Sequence, residues 1–318
     1  MNLFVSLKYL VALDDHRHFG RAALACSVTQ PALSNAIRAL EENFGTSIVK
    51  RGRSFAGFTV EGERILASGR TILREYEMLQ QDLHSGAGDP TGNLLIGAVP
   101  TAMPIAARFV AMLQDRHAGI VPTLRSMSSV ELETGLESMA LDLGLGYTER
   151  IGNNHSTIRV LPQYVEHYFL LRKCESLKGE GLRMGPATTW AEAAKLPLCL
   201  LSSEMHNRTI VDRAFAQFGA RPKPVIETNS ILALALSVRA GRVCSVMPGA
   251  LVDAVQGYDD LEALPLKDPH VEVPIAFMVH ETNRPSRTLQ AALSFAAEPI
   301  WLGEVSLHAG SLGSRESA

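Results

Sequence analysis

Apolar positions recur every three or four residues through the first part of the chain and then give way to short apolar runs. Leu3, Leu7, Leu10 and Val11 fall on one face at about 100° per residue, which predicts an amphipathic helix over residues 3–13. His16, Arg17 and His18 interrupt it, and residues 20–26 form a short helix of small side chains before a turn at Ser27-Val28. Thr29 can cap a third helix through its hydroxyl. Pro31 sits in the first turn of that helix, where a missing N–H costs nothing, and Gly45 ends it.

Helix, tight turn and a second helix of about 14 residues is the outline of a helix-turn-helix. Leu33, Ala36, Ile37, Leu40 and Phe44 share the side that packs inward. Ser34, Asn35 and Arg38 share the other, with Gln30 and Pro31 at the first turn. Amides, a hydroxyl and a guanidinium are the groups that read base edges in a major groove, although a plain solvated face would look similar. Residues 48–60 follow as two short apolar runs around a basic loop, a wing whose Lys50, Arg51 and Arg53 suit phosphates.

From Glu61 a long helix extends to about residue 84, with Ile65, Gly69, Ile72, Tyr76, Leu79 and Leu83 alternating steps of four and three. That spacing is a coiled-coil seam, which predicts a dimerising helix; a stripe buried in its own domain core is the competing reading. Residues 85–92 are a small, polar linker. Beyond it, strands are expected at 94–99, 121–126, 141–146, 166–172, 197–201, 224–227, 243–247 and 273–280. Helices are expected at 103–117, 130–139, 190–195, 205–218, 230–240 and 285–297, giving a body of parallel βα units. Residues 303–318 read as a loose polar tail.

Charge sharpens the division. The 318-residue chain carries a net charge of −3, but residues 1–58 hold seven Lys or Arg against four acids. A small basic head therefore sits on a larger acidic body. The four cysteines, Cys26, Cys174, Cys199 and Cys244, form no CxxC pair, so no metal and no cofactor are expected. His155, His167, His206, His270 and His280 stand apart in the sequence and read as surface or hydrogen-bonded histidines. Lys8, Asp14 and Asp15 break the only apolar stretch near the start, and no apolar run is long enough to span a bilayer; a cytoplasmic protein with no membrane partner is expected.

The head resembles the LysR-type transcriptional regulators. The residues that carry the likeness are Leu7 to Leu13, His18-Phe-Gly-Arg-Ala-Ala23, Val28-Thr-Gln-Pro-Ala-Leu-Ser-Asn-Ala-Ile-Arg-Ala-Leu-Glu-Glu-Asn-Phe-Gly45, Lys50-Arg51 and Phe58-Thr-Val-Glu-Gly62. The resemblance implies an α/β protein with a winged helix-turn-helix head over residues 1–60 and a dimerising linker helix and hinge over 61–91. A two-lobed effector domain like the periplasmic solute-binding proteins would fill 92–302. Lobe one would comprise 92–162 and 266–302, and lobe two 163–265. It also implies double-stranded promoter DNA, a small-molecule effector, further copies of the chain (commonly as a dimer of dimers) and RNA polymerase as partners. The wing, Ser54-Phe-Ala-Gly-Phe58, is less polar than is usual for the family, and Val243 replaces a second glycine.

In open α/β sheets, ligands bind beyond the carboxyl ends of strands, against helix N-termini. Thr101-Ala102, Ser128-Ser129, Ser202-Ser203 and Thr228 stand at such junctions, with His206 just beyond, and favour a small anion or organic acid. Hydroxyls there are also ordinary N-caps. The likeness is strongest to the peroxide-sensing branch of the family, whose reactive cysteine would fall where this chain has His206, so redox sensing is the alternative. A solute-binding module or an enzyme fits less well, since residues 1–60 would be unexplained and no G-x-S-x-G, Walker or H-E-x-x-H motif occurs.

Overall fold

The computed structural model describes residues 2–50, 52, 54–84, 89–149, 157–174, 181–281 and 284–309. The chain divides into two compact units, residues 1–88 with 138–140, and residues 89–137 with 141–318.

In the first unit, helix α1 (Leu3–His16) is capped by the Asn2 side chain, α2 (Phe19–Ala25) by the His18 imidazole, and α3 (Gln30–Phe44) by the Thr29 hydroxyl. Gly45 ends α3 at φ +64°, a left-handed turn that costs glycine nothing. Leu7, Leu10, Leu13, Leu33, Ile37 and Leu40 are all buried in one core, joined by Leu66 and Leu73 of α4 (Val60–His84). The Arg70 guanidinium on α4 is buried and donates to both Asp14 and Asp15 at the end of α1, each at 2.8 Å. A buried charge is tolerable only when paired, and here two carboxylates hold it.

Among the described residues the wing pairs through an antiparallel bridge, Val49 with Phe58. Glu41 of α3 fixes its start by accepting the backbone N–H groups of Ile48 and Val49 at 2.7 and 3.1 Å. The apolar wing that departs from the family pattern has a structural use: Phe55 packs edge-on against both Phe19 and Phe58.

In the second unit, lobe one begins with β1 (Gly92–Ala98), a single 3-10 turn (Pro100–Ala102), α5 (Met103–Arg116), β2 (Ile120–Ser126), α6 (Ser129–Glu137), β3 (Leu143–Tyr147) and β4 (Ile158–Glu166). The chain then crosses to lobe two, with β5 (Tyr168–Lys173), β6 (Arg183–Met184), β7 (Thr188–Thr189), α7 (Trp190–Ala193), β8 (Cys199–Leu201) and α8 (His206–Ala216). Lobe two continues through β9 (Ile226–Thr228), α9 (Ile231–Ala240), β10 (Ser245–Pro248), α10 (Gly249–Ala254) and β11 (Leu261–Lys267). It returns to lobe one as β12 (Val273–His280), α11 (Arg287–Ala296) and α12 (Pro299–His308). Lobe one carries the sheet β2-β1-β3-β12-β4, and lobe two the sheet β10-β5-β11-β6 with the pair β8-β9 beside it.

Four expectations change. The body is not purely parallel, because β12 runs antiparallel to β3 and β4, and β5 antiparallel to β10 and β11. The lobe boundary lies at residue 167 on the way out and at 268–272 on the way back, rather than at 163 and 266, because β4 stays in lobe one and β11 in lobe two. Strand β4 escaped notice because Pro162 interrupts it; the strand is an edge, and the register shifts between Ile275 and Ala276, where a proline is tolerated. Residues 303–309 are not a loose tail: Trp301, Val305 and Ala309, four apart, are buried, and the Trp301 indole donates to Gln163 Oε1 at 2.6 Å. Residues 310–318 of that expected tail lie outside the described residues. Among the described residues no helix is long and apolar enough to cross a membrane.

Gly62 makes the closest approach in the first unit. A Cβ there would stand 2.1 Å from the Ile48 carbonyl oxygen, in backbone that cannot move aside cheaply. Gly62→Ala should therefore lower the urea midpoint of the first transition by an amount equivalent to about 1–3 kcal/mol, the usual range for overpacking. An unchanged midpoint would show that α4 and the wing can separate freely.

Candidate nucleic-acid interface and ligand cavity

Each unit presents a hollow. In the first, a concavity of about 270 Å³ lies between α3 and the wing, lined by Ser34, Arg38, Lys50, Gly52 and Ser54 among others. Gln30, Pro31, Asn35, Arg38 and Lys50 are exposed and Ser34 half-exposed, while Leu33, Ile37 and Leu40 on the opposite side of α3 are buried. Arg51 and Arg53 lie outside the described residues. Glu41, missed in the sequence reading, sets the position of Lys50 relative to α3 by holding the two preceding wing residues. Its place one residue after the buried Leu40 was the available signal.

Of the expected seam on α4, Ile72, Tyr76 and Leu79 are 41%, 38% and 55% exposed, Ile65 is half-buried and Gly69 is buried against Leu7, while Leu66 and Leu73, outside the seam, face the core. Phe4 of α1 packs against Tyr76 with ring centroids 5.2 Å apart and planes tilted by 45°, extending the exposed apolar strip. The Leu83 side chain lies outside the described residues.

In the second unit, a cavity of about 20 Å³ lies between the lobes, lined by Val99, Thr101, Ser128, Ser129, Tyr147, Met205, His206 and Asn207 among others. It has room for about one water-sized molecule. A hydrogen-bond chain crosses it. The Thr101 hydroxyl, only 1% exposed, lies 2.6 Å from the Tyr147 phenol. From lobe two, the Asn207 amide donates to Tyr147 at 3.2 Å and to Tyr168 at 2.9 Å. The Ser129 hydroxyl is buried without a protein partner. The His206 ring lies 4.8 Å from that of Tyr147, and its Nε2 stands 3.9 Å from Glu149. Helix α8 starts here with no side-chain cap from Met205, and its first two residues, His206 and Asn207, line the hollow.

The other expected residues stand aside. Ala102 is buried in the turn behind Thr101. Ser128 lines the cavity but spends its hydroxyl on Glu131, a capping box at the start of α6. Ser202 bonds Glu204, Ser203 is exposed, and the Thr228 hydroxyl accepts the Ser230 N–H, so none of the three lines the cavity. Tyr147 and Asn207 were not singled out from the sequence, although Tyr147 ends a strand just as Thr101 follows one.

Behind Tyr147 lies Glu166, the last residue of β4 and fully buried. No donor reaches either of its oxygens in good geometry. Burial pushes its carboxyl up to about 8, with the phenols of Tyr147 and Tyr164 pulling partly back. Burial likewise pushes the Tyr147, Tyr164 and Tyr168 phenols well above their ordinary range, so all three keep their protons.

Cys199 begins β8 and Cys244 immediately precedes β10, but the bridge between them pairs Cys244 with Leu198. With a side-chain period of two, Cys199 then points to the opposite face, into the core of lobe two. Burial raises both thiols, and neither lines the cavity. The reading of isolated histidines fails at one place: the fold brings His167, His270 and Glu272 together, with ligand-capable atoms all within 4.8 Å of one another. His155 lies outside the described residues.

Glu166 makes a pH prediction. A carboxyl near 4.5 when unfolded and near 8 when folded binds more protons in the folded state across that interval, so stability falls as pH rises through it. Glu166→Gln keeps the shape without the ionisation. Its unfolding free energy should be higher than that of the parent at pH 9, by a few kcal/mol, and the difference should shrink towards pH 5. Parallel pH–stability curves for the two proteins would remove Glu166 from the account.

Comparison with known proteins accords with this architecture. Residues 4–63 match the bacterial regulatory helix-turn-helix model of the lysR family, and residues 87–299 match the LysR substrate binding domain. A hydrogen peroxide-inducible genes activator of Haemophilus influenzae is 30% identical over 199 residues, 62% of this chain and 61% of that protein. The DNA-binding transcriptional dual regulator OxyR of Escherichia coli is 36% identical over 137 residues, 43% of this chain and 45% of that protein. The chain thus spans roughly half to three-fifths of the length of these relatives. A full-length OxyR variant of Pseudomonas aeruginosa shares the fold with a TM-score of 0.68 at 21% identity, over 92% of this chain and 97% of that one. CbnR in complex with its target DNA does so with a TM-score of 0.62 at 20% identity, over 92% and 98%. With a lysR-type helix-turn-helix at one end and a LysR substrate binding domain over two-thirds of its length, the chain belongs to the LysR family.

Proposed function

We propose that this protein is a transcriptional regulator that binds promoter DNA through α3 and the wing and is switched by a small anionic effector held between the lobes of its second unit. The observation that carries the DNA-binding half is the exposed polar face of α3, opposed to the buried Leu33, Ile37 and Leu40 and set beside Lys50. Arg38, Asn35, Ser34 and Gln30 would read base edges, with Pro31 shaping the first turn, while Lys50 would neutralise a phosphate. The relative that binds target DNA supports the same use of this fold. Ile65, Ile72, Tyr76, Leu79 and Leu83 would form a homodimer seam, and a dimer of dimers would let two heads address adjacent sites on the duplex. RNA polymerase would be the downstream partner.

The cavity supports an anion for two reasons. Helix α8 opens onto it without a side-chain cap, and the Ser129 hydroxyl is without a protein partner. Redox sensing through a cysteine pair, which the names of the relatives suggest, is the weaker reading because the two thiols face opposite sides and are held protonated by burial.

Arg38→Ala should cost about 1–3 kcal/mol on the specific promoter site and far less on random DNA, whereas Lys50→Ala should weaken both equally and lower the salt slope by about one. Equal losses for Arg38→Ala on both DNAs, read by fluorescence anisotropy, would reduce Arg38 to a phosphate contact.

Ile72→Asp places a charge in the exposed strip, where pairing would have to desolvate it. Sedimentation should then show monomers at micromolar concentration where the parent is a dimer. A persistent dimer would return the strip to solvent.

Thr101→Val keeps the shape and removes the hydroxyl next to Tyr147. In a titration of promoter binding against effector, it should shift the midpoint by about 1.5–3 kcal/mol while the maximal response survives. An unmoved midpoint would place the effector elsewhere.

A further inference from the structure

The two segments that join the lobes run side by side, and they carry a set of donors that the effector cavity does not use. His167 is the single residue between β4 of lobe one and β5 of lobe two. Glu272 is the last residue before β12, on the returning segment. Antiparallel pairing sets Val273 against Glu166, so the next step of the register sets Glu272 against His167. His270, two residues earlier, projects to the same side as Glu272, and their Nε2 and Oε1 atoms are 3.3 Å apart. The rings of His167 and His270 lie 5.2 Å apart. Nδ1 of His167 is sealed from solvent and has no hydrogen-bond partner. His270 and Glu272 are exposed, so a hydrated ion has an open approach.

We propose that His167, His270 and Glu272 form a binding site for a divalent transition metal ion of the zinc class, and that the ion ties the outgoing and returning interlobe segments together. The donor chemistry selects the class. Two imidazoles and one carboxylate suit zinc, nickel or copper, and disfavour magnesium or calcium, which require oxygen. Three protein ligands with atoms within 4.8 Å of one another leave the remaining positions to water, as in open zinc sites. The second ligand pair sits on the other crossover, so the bound ion restrains the two hinge segments against each other. The three ligands line neither the interlobe cavity nor the hollow beside α3.

The test uses the untagged full-length chain titrated with cobalt(II), followed by visible absorption, and with zinc by calorimetry. One equivalent per chain should bind with micromolar affinity. The cobalt spectrum should show ligand-field bands without the near-ultraviolet thiolate-to-cobalt transition that cysteine ligation produces. His270→Ala, at an exposed position, should weaken zinc at least tenfold with an unchanged melting curve in the absence of metal, and Cys199→Ser should leave binding intact. Zinc should also slow amide exchange at residues 166–168 and 269–273. Binding weaker than millimolar, a thiolate band, or equal affinity in His270→Ala would overturn the site. Tight binding without slowed exchange would overturn the tie between the segments.

Discussion

The phenol of Tyr147 is the point at which the two lobes of the second unit meet through hydrogen bonds at the cavity. It stands at the end of β3, takes the Asn207 amide from lobe two and lies 2.6 Å from Thr101 of lobe one. Remove the proton, or move α8 by more than the length of one hydrogen bond, and the chain from Thr101 to Tyr168 breaks. The cavity beside it, about 20 Å³, is too small for an organic acid as it stands. A larger effector must displace part of this chain, and its differential affinity for the two arrangements is what would drive a switch. Glu166 lies behind it, where burial favours the protonated carboxyl.

The first unit solves a different problem, which is to hold a short wing at a fixed distance from a reading helix. It does so with few contacts. Glu41 grips the wing backbone, Gly62 lets α4 start against the Ile48 carbonyl, and Phe55 anchors the loop on Phe19 and Phe58. Arg70 then ties α4 to the end of α1 through two carboxylates. The face of α4 left over by this packing is the exposed strip of Ile72, Tyr76 and Leu79.

Much of this was legible from local pattern. The three-four spacing of Leu33, Ile37 and Leu40, the Thr29 cap and the Gly45 stop predicted α3 to within a residue or two, because each signal acts within one turn of helix. What escaped depends on partners distant in sequence. Strand β4 is masked by Pro162 and exists because β12 pairs with it, and α12 is held by Trp301 reaching Gln163. The strand-end hydroxyls were too many to rank: Thr101 and Ser129 face the cavity, while Ser128 and Thr228 are occupied by capping and turn contacts. His167 and His270 looked isolated because only the crossing of two chain segments brings them together.

Amide hydrogen exchange on the full-length protein, with and without a small carboxylic acid selected by thermal shift, tests the interlobe account most directly. Slowed exchange should concentrate at residues 99–103, 127–131 and 201–209, the three backbone segments around Tyr147, with little change elsewhere in lobe two. An acid that alters promoter binding while leaving those three segments unprotected would contradict it.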